Sequence, residues 1–172
     1  MSRADRAAPL TALGQGVASE LMGTAAAAGR VVGIGIDAVD VDRFRRVLDR
    51  RRHLTDRLFT PGEQAYARAA TDPVPRMSTR FAAKEAVMKA LGVGLGAFRF
   101  TEVEVVRTGL DAPDLVLHGA ARALASRAGV DRWHLSLTHT AEVALAAVVA
   151  VGGAAVGPAA GSGVAAVPAA RP

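Results

Sequence analysis

Apolar and polar positions along the chain change period several times, and each change predicts an element. Val31–Ile36 (VVGIGI) is a continuous apolar run that stops at Asp37, which predicts a short buried strand. Its glycines, Gly33 and Gly35, suggest that another backbone or a ligand lies close. From Val41 to Arg52 the period becomes helical. Val41, Phe44 and Leu48 recur at spacings of three and four, and Arg43, Arg46 and Arg50 form a basic stripe beside them. Leu58–Gly62 reads as a turn, with Thr60 as cap and Pro61 as first position of a helix over Glu63–Ala70. Thr71–Ser78 carries Pro73 and Pro75 and reads as a loop. Arg80–Gly96 (RFAAKEAVMKALGVGLG) follows as a helix of strong formers feeding a glycine-rich loop.

Beyond the loop the period falls to two. Thr101–Thr108 alternates, with Val103 and Val105 against Glu102 and Glu104, as a half-buried strand does. Gly109–Pro113 predicts a turn, Asp114–His118 a returning strand, and Gly119–Ala128 a helix ended by Gly129. Trp133–His139 alternates again, with Trp133, Leu135 and Leu137 on one face and His134, Ser136 and Thr138 on the other. Thr140–Glu142 turns the chain into a last strand, Glu142–Val151. A strand, then helices, then antiparallel strands make an α+β fold.

Length and composition narrow this further. At 172 residues the chain suits one well-packed domain. Residues 1–30 and 152–172 lack a patterned apolar face and are expected to be disordered, which leaves 31–151 as the folded domain. Residues 1–30 also lack the continuous apolar stretch of a signal peptide. Half of the residues are hydrophobic, but only five Phe, one Trp and one Tyr are aromatic. The core therefore rests on many small contacts, anchored by Phe44, Phe59, Phe81, Phe98, Phe100 and Trp133. The absence of cysteine excludes disulfides, thiolate metal sites and a cysteine nucleophile, and fits a cytoplasmic protein. No apolar run approaches the ~20 residues of a membrane span. A net charge of +5 points to acidic partners. Nucleic acid is disfavoured among them, since there is no finger spacing and no aromatic-studded basic strand.

The chemistry concentrates in Arg80–Gly96. Helical spacing puts Glu85 and Lys89 on one face, and Arg80 and Lys84 on another a little round the cylinder. Phe81, Met88 and Leu91 fall in an apolar stripe. Gly92, Gly94 and Gly96 would let backbone approach a bulky anion. A carboxylate, several cations and a glycine loop suit a metal-bound phosphate ligand; an amphipathic helix with a solvated charged face and a glycine cap would read the same. Asp37, at the mouth of the first strand, is a second candidate ligand, although Asp37 or Asp40 could simply cap the next helix.

Three segments in order, GIGIDAVDVDR (Gly33–Arg43), RFAAKEAVMKALGVGLG (Arg80–Gly96) and SLTHT (Ser136–Thr140), resemble the holo-acyl-carrier-protein synthase family of the 4′-phosphopantetheinyl transferases. The resemblance covers Val31 to about Val151. It implies the family's single-domain fold, an antiparallel sheet packed on a long central helix. It also implies Mg2+-dependent transfer of 4′-phosphopantetheine from coenzyme A to a serine of an acidic acyl carrier protein, in fatty-acid or polyketide synthesis. Asp37 and Glu85 would hold the magnesium, and Glu85 and Lys89 would act in catalysis. Arg80, Lys84, Lys89, Gly92, Gly94, Gly96, His139 and Thr140 would border the cofactor. Arg43, with Arg46 and Arg50 along the same stripe, would meet the carrier. The family's homotrimeric assembly, with an active site at each interface, is also implied; the Ala/Val-rich faces of the strands from Thr101 and Glu142 would be what it covers. A non-catalytic module of the same fold that binds coenzyme A or carrier is the alternative.

Overall fold

The structure, a computed structural model, describes residues 29–107 and 112–153. The extension and tail expected to be disordered fall almost wholly outside these residues, as does most of the turn expected at 109–113.

The first element among the described residues is β1 (Arg30–Asp40), followed by helices α1 (Val41–Arg50), α2 (Leu54–Leu58), α3 (Pro61–Arg68) and α4 (Val74–Ala90). A one-turn 3-10 helix (Phe100–Glu102) leads into β2 (Val103–Val106) and β3 (Asp114–Leu117), and then come α5 (Gly119–Arg127), β4 (Arg132–His139) and β5 (Val143–Gly152). The strands form an antiparallel sheet in the order β1-β5-β4 and a separate two-stranded ribbon, β2-β3. This is the α+β arrangement expected from the sequence.

β5 lies in the middle of its sheet because its alternation is the most complete: Ala144, Ala146, Val148 and Ala150 are all fully buried on one face. α4 covers that face. Its Ala82, Ala83, Ala86 and Val87 have no exposure, and Lys84 and Met88 further round the cylinder are buried too, so most of the helix is sunk into the core. Small residues bring it close to the sheet. A Cβ on Gly33 would lie 1.9 Å from the Ala90 carbonyl oxygen, and one on Gly35 1.8 Å from that of Ala86. The neighbouring backbone that Gly33 and Gly35 suggest is therefore α4, and this contact fixes β1 against the helix that carries Glu85.

Several expectations need correction. β1 runs on through Asp37 to Asp40 and is not buried on both faces: Ile34 and Ile36 are 62% and 56% exposed, because only the side facing α4 is covered. α4 begins at Val74, inside the segment expected to be a loop; its prolines sit at the cap and in the first turn, where no amide donor is needed. α1 stops at Arg50, two residues early, and the short α2 has no counterpart in the sequence reading. β2 starts only at Val103, and Val103 and Val105 are already buried within the protomer. The open apolar face is therefore that of β1 and β5, not that of β2. The helix after Thr60 forms as the sequence implies, from Pro61, with Thr60 and Glu63 capping each other reciprocally.

Candidate active site

Two aspartates lie in the last stretch of chain before β1 gives way to α1, and the structure divides their work. Asp40 caps α1, its Oδ1 accepting from the Arg43 amide at 2.7 Å. Asp37 lies three residues earlier on the strand and is paired with Ala146 of β5. Lys89, near the end of α4, donates from Nζ to Asp37 Oδ1 at 2.8 Å and to the Ile36 carbonyl at 2.9 Å.

Glu85, one turn before Lys89, is close enough to Asp37 to feel its charge. Partial burial pushes the Glu85 carboxyl above the usual carboxylate range; Asp37 adds to the shift and Lys89 opposes it. Asp37 Oδ2 is buried with no hydrogen-bond partner. Two neighbouring carboxylates, one lysine and an orphaned buried oxygen leave the cluster short of positive charge. A hard divalent cation fits that deficit. Among the described residues no group of three or more His, Asp or Glu side chains gathers to cage a metal. Two carboxylates completed by water and substrate phosphate are the habitual site of magnesium.

The pair stands at the edge of a cleft of about 640 Å3, with Arg43 also on its lining. Its floor is aromatic. Phe44 stacks on Phe81 (centroids 5.0 Å apart, planes at 26°), and Phe81 on Phe100 (5.4 Å, 22°). Leu95, from the glycine loop, closes one side, and a neighbouring cleft of about 840 Å3 shares Leu54, Leu58, Leu95 and Phe100 with the first. Sequence reasoning marked the three rings as core anchors and missed their place in the site. Phe81 lies four residues before Glu85, on the same helix face, and that spacing was the available signal.

The remaining candidates separate into several places. Lys84 and Arg80 share a face of α4 that turns to α3, away from the carboxylates. The Lys84 side chain has no exposure: Nζ donates to Glu63 Oε2 at 2.8 Å, to the Phe100 carbonyl at 2.9 Å and to the Val103 carbonyl. Burial pulls its ammonium below the ordinary lysine value, and Glu63 works against that pull. This corrects the expectation that Lys84 meets phosphate, since all three of its donors are used inside the protein. Arg80 is 3% exposed, with its guanidinium 4.1 Å above the Tyr66 ring and its Nε buried without a partner.

Gly92 and Gly96 take positive φ values of 66° and 94°, and a Cβ on Gly92, Gly94 or Gly96 would meet nothing within 4 Å. Gly92 ends α4: its amide donates to Lys89 O and that of Val93 to Met88 O, a Schellman closure. The Thr140 hydroxyl is engaged in the β4–β5 turn, accepting from the amides of Glu142 and Val143. His139 pairs with Ala144 on the same sheet face as Asp37, with β5 between them, and does not line the cleft. Arg43, Arg46 and Arg50 are all exposed on α1, while Arg45 is held in a two-pronged pair with Asp72 at 3.0 and 2.7 Å.

Comparison with known proteins agrees with this architecture. The family model of the 4′-phosphopantetheinyl transferase superfamily matches residues 33–148. The holo-[acyl-carrier-protein] synthase of Frankia alni is 47% identical over 120 residues, covering 70% of this chain and 97% of that protein. The crystal structure of the holo-[acyl-carrier-protein] synthase from Neisseria meningitidis superposes with a TM-score of 0.65 at 32% identity, covering 70% of this chain and 98% of that one. A Bacillus anthracis holo-(acyl-carrier-protein) synthase in complex with CoA (3′,5′-ADP) gives 0.59 at 31% identity, over 71% and 97%. The chain thus belongs to the 4′-phosphopantetheinyl transferase superfamily, and within it to the holo-[acyl-carrier-protein] synthase family.

Proposed function

We propose that this protein transfers 4′-phosphopantetheine from coenzyme A to a serine hydroxyl of an apo acyl carrier protein, releasing 3′,5′-ADP. The observation that carries the reading is the Asp37–Glu85 pair, with its orphaned Oδ2, standing beside an apolar cleft. The serine oxygen forms a bond to the β-phosphorus of the donor, and the bridging P–O bond to the nucleotide breaks. Phosphoryl transfer asks chiefly for charge neutralisation and in-line placement. A magnesium ion held by Asp37 and Glu85 would neutralise the pyrophosphate. Lys89, its side chain half exposed and its Nζ anchored to Asp37, stabilises the leaving oxygen. Glu85 in its ionised form accepts the serine proton.

The exposed basic stripe Arg43, Arg46 and Arg50 offers the acidic carrier a docking surface, with Arg43 reaching from it to the cleft. The open apolar sheet face, where Ile34 pairs with Val149 and Ile36 with Ala147, supports assembly as a homotrimer that covers it. Such assembly would also bring a neighbouring protomer's groups towards each cleft. No helix among the described residues is long and apolar enough to cross a membrane. The cytoplasm is the proposed setting, with a carrier of fatty-acid or polyketide synthesis as partner.

Mass spectrometry of an apo carrier incubated with the protein, magnesium and coenzyme A tests the reading. A gain of one phosphopantetheine is expected, abolished by a chelator. An unchanged carrier mass under these conditions would overturn the proposal.

A further inference from the structure

Lys84 precedes the site residue Glu85 in the chain, yet it points into the protein. Its three donors go to Glu63 Oε2 and to the carbonyls of Phe100 and Val103. Glu63 is equally occupied: Oε2 also accepts from the Thr60 amide at 2.9 Å, and Oε1 from the Val105 amide at 3.0 Å. Neither side chain of the pair has any exposure. A buried pair in which every donor and acceptor is used gives up much when one bond is moved, and so holds its neighbours in one arrangement.

What it holds is specific. Phe100 and Val103 are the first residue and the C-cap of the single 3-10 turn that separates the glycine loop from β2. A turn of three residues has almost no stability of its own. Lys84 grips it at both ends from below, and Glu63 fixes β2 just beyond at Val105. The side chain displayed above that grip is Phe100, whose ring stacks on Phe81 and through it continues to Phe44. All three rings line the cleft that holds Asp37 and Glu85. The buried ion pair and the cleft floor are thus two sides of one short segment.

We propose that Lys84 is a positioning residue: paired with Glu63 beneath the cleft, it sets the Phe100 ring and with it the apolar floor that receives the pantetheine arm of the donor. The inference rests on coenzyme A being the donor. The phosphates belong at the carboxylate end of the cleft. The arm leaves them as a long, largely apolar chain, and the stacked rings are the surface that suits it. Lys84 therefore acts on the arm and not on the nucleotide.

Calorimetric titration with two ligands separates these roles, because 3′,5′-ADP lacks the arm that coenzyme A carries. The variant Lys84→Met with Glu63→Gln removes both charges together and leaves no bare buried ion. Phe100→Leu cuts the ring and leaves the ion pair intact. For each folded variant, coenzyme A binding is expected to weaken about tenfold, while 3′,5′-ADP binding stays within about twofold of wild type. Equal weakening for both ligands would make Lys84 a nucleotide contact after all and overturn the inference. Unchanged binding of both would make the network a matter of stability alone and overturn it equally. If the charge-free pair does not fold, Phe100→Leu decides: wild-type affinity for coenzyme A there removes the floor from the argument. Failure of the underlying reading looks different, because wild-type protein would then bind neither ligand.

Discussion

Gly35→Ala is the sharpest perturbation of the scaffold beneath the site. The added Cβ would fall 1.8 Å from the Ala86 carbonyl oxygen, 2.8 Å from its carbon and 2.9 Å from the Ala90 amide nitrogen. All three atoms are backbone of α4, so no side chain can swing aside. To regain van der Waals contact, β1 and α4 must part by roughly 1.5 Å, an overpacking that costs about 3 kcal/mol. For a chain of this size that lowers Tm by roughly 6–12 °C. Activity should suffer separately. Asp37 is two residues further along β1 and Glu85 stands on α4, so the shift opens the carboxylate pair itself. A misplacement of about 1 Å at a reacting centre costs about 100-fold in rate. Scanning calorimetry gives the first number, and carrier modification measured well below both melting temperatures gives the second. Gly94→Ala is the control. Its Cβ would meet nothing within 4 Å and its φ is not positive, so stability should move by no more than about 0.5 kcal/mol. A Gly35→Ala protein with wild-type melting and wild-type transfer would refute the claim that a backbone contact sets the site.

Three further outcomes are expected. Arg43→Glu with Arg46→Glu should raise KM for the carrier about tenfold or more at low salt and leave KM for coenzyme A nearly unchanged, with added salt narrowing the gap. Ile34→Glu places a charge in the open apolar sheet face, and light scattering should then give a monomer where the parent gives a trimer; a monomeric parent at active concentrations would sink the assembly. Asp72 is held below the usual aspartate value by its hydrogen bonds from Arg45 and then from the Val74 amide. Its contribution to stability is therefore complete at neutral pH and is lost as pH falls through the ordinary aspartate range and on through the lower folded value. Because the pair is largely solvated, Asp72→Asn should cost about 1 kcal/mol or less at pH 7, and melting curves of the two proteins should converge in acid.

The sequence made much of this legible because period and punctuation are local. The Thr60 cap, the alternation of β4, the strand β5 and the glycine end of α4 all formed close to where expected. What stayed hidden depended on partners far away in the chain. Helical spacing places Lys84 beside Arg80 but cannot say which face of α4 meets solvent. The answer comes from Glu63, 21 residues earlier, whose carboxylate lies in the core. Prolines at 73 and 75 suggested a loop because a first helical turn, which tolerates them, looks like one in a single sequence. Asp37 suggested the end of a strand, yet it lies within β1, since a carboxylate is tolerated where the covering helix supplies Lys89. The stacked floor of the cleft needed the packing of α1, α4 and the 3-10 turn, which no local pattern announces.

The proposed transfer depends on two carboxylates acting together on the phosphoryl group. Glu85→Gln keeps the shape of the side chain and removes its charge, and Asp37→Asn does the same across the pair. Carrier modification followed by mass spectrometry, with each variant first shown by calorimetry to be folded, gives initial rates beside wild type. Each substitution should lower the rate about 100-fold or more, at least the loss that follows damage to a metal ligand's surroundings. Either variant, folded and transferring phosphopantetheine at close to the wild-type rate in magnesium, would contradict the account.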